Sequence, residues 1–222
     1  MKAVLFDLDG TLTDPREGIT RSIAYALERM GVQPPPLDEL TFAIGPPLRV
    51  SLATLLGTES RDAVERALAH YRERFADVGL FENAPYAGID GALSVIAANG
   101  ALLFVATSKP EVYADRIVEH FGLLAHFREV HGCELDGTRE DKRDLLAYVI
   151  RRHGLEPAHT TMVGDRGVDM AAARLHGARA IGALWGYGDP QELSAAGAQV
   201  NCESPHSLPA AWRALCASGA PT

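Results

Sequence analysis

Two aspartates one residue apart, Asp7 and Asp9, follow the apolar run Ala3-Val4-Leu5-Phe6 and precede Gly10-Thr11. In an extended strand alternate side chains share a face, so the two carboxylates project together. Such a pair forms a compact acidic site: one carboxylate can attack, the other can manage protons, and a divalent cation can neutralise the charge. A polar turn at a strand end also uses Asp and Gly, so the rest of the chain must separate the two readings.

Three further stations supply the separation. Thr107-Ser108-Lys109 closes the apolar run Ala101–Ala106. Lys142 opens a helical stretch after the loop around Asp136–Asp141, and Gly164-Asp165-Arg166-Gly167-Val168-Asp169 follows Thr161-Met162-Val163. Hydroxyls at a helix start cap its amides, and helix N-termini bind phosphate. Asp165 and Asp169 stand one helical turn apart and can face one metal. The chain's lysines are Lys2, Lys109 and Lys142, so two of them fall where a compact ammonium suits a phosphate site. Lys109 reads equally well as a substrate contact or a charge at a helix start. Asp136-Gly137-Thr138 repeats the first triplet, but with Glu134 as its upstream partner and no long strand leading in, it predicts a turn before Lys142. Arg166 is expected to pair with a nearby acid, and Trp185 and Tyr187 to pack at the site's edge. The eight histidines show no triad or metal spacing and read as surface or structural.

The elements that must position these residues are legible as alternating strands and helices. Strands are predicted at Ala3–Asp7, Ala101–Thr107, Glu129–His131, Thr161–Gly164 and Ala178–Leu184, with a weaker one at Gln199–Cys202. Helical patterns fall near Asp90–Asn99, Glu111–Phe121, Lys142–Arg152, Val168–His176 and Pro205–Ala217. Strands separated by such helices imply an α/β fold, a Rossmann-like parallel sheet between two helical layers. Residues 15–84 break the rhythm. They carry helical periodicity at Gly18–Met30, Leu48–Leu56 and Arg61–Val78, with breaks at Pro34-Pro35-Pro36 and Gly45-Pro46-Pro47. The expected organisation is a catalytic core of residues 1–14 and 85–222 with an all-helical cap of residues 15–84. In a parallel sheet the carboxyl ends of adjacent strands share one edge, so the four stations converge there.

The 222 residues, 47% hydrophobic and 23% charged, are ordinary for one domain with a modest insertion. A net charge of −8 argues against a nucleic-acid surface and means that an anionic substrate needs a local positive site. Cys133, Cys202 and Cys216 lack paired metal spacing and read as free thiols of a reducing compartment. With only four apolar residues between Lys2 and Asp7, and no run approaching a membrane span, a cytoplasmic location is expected.

On these four stations the chain resembles the haloacid dehalogenase superfamily, in its phosphatase branch with a helical cap. Ile44-Gly45-Pro46-Pro47-Leu48-Arg49, Gly79-Leu80-Phe81-Glu82-Asn83, Thr107-Ser108-Lys109-Pro110 and Glu134-Leu135-Asp136-Gly137-Thr138-Arg139 resemble the 5′-nucleotidase-like subgroup, close to phosphoglycolate phosphatases. The resemblance implies a Mg²⁺-dependent phosphomonoesterase acting on a small phosphorylated metabolite. Asp7 would be the nucleophile and Asp9 the acid/base. Asp7, the Asp9 carbonyl and Asp165 would bind Mg²⁺, with Asp169 supporting them. Thr107, the Ser108 amide and Lys142 would hold the phosphoryl oxygens. Gly10 and Thr11 shape the turn, and Arg49 of the cap either clamps substrate or is an exposed helical arginine. A phosphomutase would keep the same stations, whereas a non-catalytic domain would show decay at one of them, and none is present. The leaving group and the oligomeric state stay open.

Overall fold

The computed structural model describes residues 1–218; the last four residues of the expected core, 219–222, lie outside the described residues. Two compact units emerge, residues 1–14 with 85–222, and residues 15–84.

The larger unit is built on a six-stranded parallel sheet. Its strands are β1 (Lys2–Phe6), β4 (Ala101–Pro110), β5 (Glu129–Cys133), β6 (Thr160–Gly164), β7 (Arg179–Ala183) and β8 (Val200–Cys202), while β2 (Thr13–Asp14) and β3 (Ala84–Pro85) are two-residue pieces at the chain's exit and return. The order is β5-β4-β1-β6-β7-β8. β1 is thus central, flanked by β4 and β6, at the point where the winding of the sheet reverses. Open α/β sheets bind ligands at the carboxyl ends of strands beside such a switch point. The register sets Phe6 beside Val105 and Val163, so Asp7 emerges next to the ends of both neighbours.

Helices α4 (Ile89–Ala98), α5 (Glu111–His120), α6 (Lys142–His153), α7 (Gly167–Leu175) and α8 (Pro190–Ala196) join the strands, and α9 (Leu208–Ala217) follows β8. The apolar strands are covered on both faces, which explains their near-continuous hydrophobic runs. On one face Leu5, Phe104, Ala106 and Met162 bury against Leu145, Leu146 and Val149 of α6 and Met170 and Ala173 of α7. The α8 helix is absent from the periodicity, being too short for a stripe, although Asp189 caps it through the Gln191 and Glu192 amides with Pro190 in its first turn. β4 runs three residues past the predicted end at Thr107, because pairing with β5 resumes at Pro110 after a register shift. β5 likewise extends beyond His131 to Cys133.

The smaller unit contains α1 (Arg16–Arg29), a 3₁₀ segment Leu37–Ala43, α2 (Leu48–Leu56) and α3 (Arg61–Arg74). The predicted helix Arg61–Val78 changes character at its end: Phe75–Gly79 is a π-helical turn, and Phe75 stacks on Tyr71 at 5.0 Å between ring centroids. Among the described residues no strand lies wholly within this unit and no helix is long and apolar enough to cross a membrane.

Candidate active site

The carboxyl edge beside β1 gathers the predicted residues of the larger unit. Asp7 continues the β1 direction, its amide donating to the Val163 carbonyl at 2.9 Å, and Oδ1 accepts from the Leu8 amide at 2.8 Å. The turn that follows requires Gly10. Its φ of +83° is left-handed, and a Cβ there would sit 2.2 Å from Asp165 Oδ2. Thr11, fully buried, donates from Oγ1 to Asp165 Oδ1 at 3.1 Å.

Lys142 opens α6 behind the Asp141 N-cap, on the far side of the turn around Asp136 that the sequence predicts. Its ammonium is buried and lies 2.9 Å from Asp7 Oδ1, 2.9 Å from Asp169 Oδ1 and 3.0 Å from the Ala106 carbonyl. Burial alone would lower its pKa, but the two carboxylates overcome that and raise it, so the lysine stays charged. Asp169 lies in the first turn of α7, held through Oδ2 by the Arg166 amide at 3.2 Å. Gly164 allows this approach, since a Cβ there would meet Asp169 Cγ at 2.4 Å.

Asp7, Asp165 and Asp169 present one carboxylate oxygen each within 4.8 Å of one another. Such crowding must shift protons. Burial raises Asp165 to about 8, helped by the charges of Asp7 and Asp169. Burial raises Asp169 to about 6 against the pull of Lys142. Three buried carboxylates against one ammonium leave excess negative charge, and an all-oxygen donor set suits a hard cation such as Mg²⁺. The residues present therefore fit the ion that the sequence led us to expect.

Asp9 is placed differently. Its Oδ2 pairs with Lys109 Nζ at 2.8 Å, while its Oδ1 is buried without a hydrogen-bond partner. Burial raises its pKa, opposed first by Lys109. Lys109 stands immediately before the α5 N-cap Pro110, and its ammonium reaches back to this second aspartate, a pairing the sequence does not announce. Thr107 is buried at the same edge and its Oγ1 accepts from the Lys109 amide at 3.2 Å; the Ser108 carbonyl accepts from the Cys133 thiol. Neither hydroxyl caps α5, whose N-cap is Pro110. Arg49 lies in the smaller unit, where its Nε bonds Glu65 at 2.7 Å.

The segment after β7 contributes what the sequence only hinted at. Trp185 Nε1 donates to the Thr11 carbonyl at 3.0 Å, the Tyr187 amide donates to Asp165 Oδ2 at 2.9 Å, and the Tyr187 hydroxyl bonds Asp14. Asp165 is therefore gripped from the first turn and from this segment together. Arg166 pairs with Glu192 at 3.1 Å, as an acid-seeking arginine should.

Comparison with known proteins agrees with this geometry. The family profile described as haloacid dehalogenase-like hydrolase matches residues 4–183. A protein of Pseudomonas aeruginosa named 5′-nucleotidase is 46% identical over 192 residues, covering 86% of each chain. A Mycobacterium tuberculosis protein named tyrosine-protein kinase PtkA is 39% identical over 186 residues, 83% of this chain and 62% of the relative. Among solved structures, a predicted phosphatase from Clostridium acetobutylicum superposes with a TM-score of 0.91 at 37% identity, covering 96% of this chain and 98% of that one.

Proposed function

The chain belongs to the haloacid dehalogenase-like hydrolases, and from that premise we propose that it is a Mg²⁺-dependent phosphomonoesterase acting on a small phosphorylated metabolite, in the first instance a nucleoside 5′-monophosphate. The observation that carries the reading is Lys142, whose ammonium joins Asp7 to Asp169 beside Asp165 at the switch point of the sheet. The nucleotide preference rests on the relative named 5′-nucleotidase.

Asp7 is the nucleophile. Lys142 and the Leu8 amide hold its Oδ1, which fixes the carboxylate for attack on phosphorus while the ammonium offsets repulsion between two anions. As the new Asp7–phosphorus bond forms, the ester P–O bond breaks and Asp9 gives its proton to the departing alkoxide. Burial raises the pKa of Asp9 above the ordinary carboxylate value, the direction that favours a proton donor. Asp9, now ionised, takes a proton from water as the water oxygen attacks phosphorus and the Asp7–phosphorus bond breaks. Phosphate and the original carboxyl states are restored. Thr107, the Ser108 amide and Lys142 hold the phosphoryl oxygens. Asp7, the Asp9 carbonyl and Asp165 would hold Mg²⁺, with Asp169 supporting them; the ion would supply charge neutralisation for the phosphoryl oxygens.

A phosphate-release screen with Mg²⁺ over nucleoside 5′-monophosphates, phosphoglycolate and sugar phosphates, compared by kcat/KM, tests this. A nucleoside monophosphate ranking first, with release abolished by a chelator, is the expected result. Phosphoglycolate ranking first would replace the substrate and keep the chemistry. Release from none of them would overturn the phosphatase reading.

A further inference from the structure

A second set of ligand-type side chains converges at the edge of the sheet, on β5, which the proposed reaction does not use, and at the end of α6 opposite Lys142. Glu129 and His131 stand two apart on edge strand β5 and so share a face, and His153 ends α6, which packs against that strand. His131 Nε2 lies 2.8 Å from His153 Nε2, and Glu129 Oε2 lies 3.5 Å from the same His153 nitrogen. One donor atom from each residue falls within 4.8 Å of the other two.

Two imidazole nitrogens this close share at most one proton, because two N–H groups would point at each other. Burial lowers the pKa of His131 to about 4 and lowers that of His153 too; an imidazole ligates a metal through an unprotonated nitrogen. Zn–N bonds of about 2.0–2.1 Å place two ligand nitrogens roughly 2.8–3.4 Å apart for angles between 90° and tetrahedral. The observed 2.8 Å is the short end of that span, so an ion displaces the shared proton when both rings turn their lone pairs onto it and, in a tetrahedral site, the pair opens by about half an ångström. Arg152 grips Glu129 Oε1 at 2.6 Å, which orients the carboxylate and turns Oε2 toward His153. Phe104 and Tyr148 wall the imidazoles, with ring centroids 4.5 Å from His153 and 5.8 Å from His131.

We propose that Glu129, His131 and His153 form a site for a borderline transition-metal dication of the zinc class, separate from the aspartate cluster and independent of the phosphatase reading. Ligand type separates the two positions. Nitrogen-rich sets favour zinc-like ions, while the all-oxygen aspartates favour Mg²⁺. A bound ion ties the edge strand to the end of α6.

The test is equilibrium dialysis of metal-stripped protein against Zn²⁺ with Mg²⁺ in large excess, followed by thermal unfolding with and without Zn²⁺. One retained Zn²⁺ and a raised Tm are expected in the unaltered chain. His153→Ala, at a partly exposed helix end, and Glu129→Gln should each weaken binding by at least about tenfold and remove the Tm rise. Asp7→Asn should retain the ion. No Zn²⁺ bound, or an equivalent that survives both His153→Ala and Glu129→Gln, would overturn the proposal. Two variants guard against one misfolding, and the phosphate-release screen reports separately on the aspartates.

Discussion

Acidic side chains in the two units meet cations with opposite results. In the larger unit, four carboxylates meet two ammonium groups: Lys142 joins Asp7 to Asp169, Lys109 pairs with Asp9, and Asp165 is held by the Thr11 hydroxyl and the Tyr187 amide instead. In the smaller unit, Glu82 alone is held by two guanidiniums, Arg74 at 2.7 Å and Arg21 at 3.0 Å. Burial drives Asp9, Asp165 and Asp169 upward in pKa. The hydrogen bond from Arg74 drives Glu82 downward. A cluster with more carboxylates than cations, out of water, is costly unless a further cation or a proton completes it. A lone carboxylate between two arginines near the surface is already complete. The first arrangement stores reactivity; the second holds a unit together.

The most severe break is Asp7→Asn. The amide keeps the shape of the carboxylate but loses its charge and nucleophilicity, so kcat should fall on the order of 10³-fold or more, with KM changed much less. Steady-state phosphate release beside a circular dichroism spectrum checks it. Turnover retained in a folded variant would remove Asp7 from the chemistry and leave the acidic cluster a structural one.

Lys142→Met comes next, because it strips the cluster of its central cation. Positioning of Asp7 and compensation of phosphate charge vanish together, a loss on the order of 10²–10³-fold in kcat. Metal-free protein should also lose about 3 kcal/mol of stability in urea, since Asp7 and Asp169 are left as uncompensated buried acids. Added Mg²⁺ should recover part of that loss by binding the native state. Equal losses with and without Mg²⁺ would mean that the ion does not enter this cluster.

How far such contrasts can be read before folding depends on sequence distance. The α/β core and the convergence of Asp7, Lys142, Asp165 and Asp169 are legible because parallel strands carry their carboxyl ends to one edge, whatever lies between. The pairing of Lys109 with Asp9 is not, since it depends on β4 continuing past Thr107 through a register shift that no periodicity encodes. The grip of Tyr187 on Asp165 is a backbone contact, invisible to residue type, although the position of the segment after a strand hints at its place. His131 and His153 lie on different elements, so no local spacing marks them as neighbours. The π turn at Phe75–Gly79 escapes because its residues keep a helical pattern while the hydrogen bonds widen.

The gentlest break acts on the other side of the comparison. Glu82→Gln preserves shape but leaves Arg74 and Arg21 facing a neutral amide. A partly exposed pair of this kind should contribute on the order of 0.5–1 kcal/mol, so the variant loses about that much at pH 7. The pH dependence follows from the lowered pKa. Well above the ordinary glutamate value of about 4.3, Glu82 is ionised folded and unfolded alike, and its stabilisation is fully present. As pH falls through that value the unfolded chain takes up the proton first. Stabilisation then drains away until the folded group, with its lower pKa, is protonated as well. The stability difference between the unaltered chain and Glu82→Gln should therefore hold from pH 7 to about 5 and shrink toward zero below about 4. Urea midpoints at pH 7, 5 and 3.5 measure it. A difference that grows with acid would mean that the arginines do not stabilise the ionised form, and the contrast between the two units would collapse.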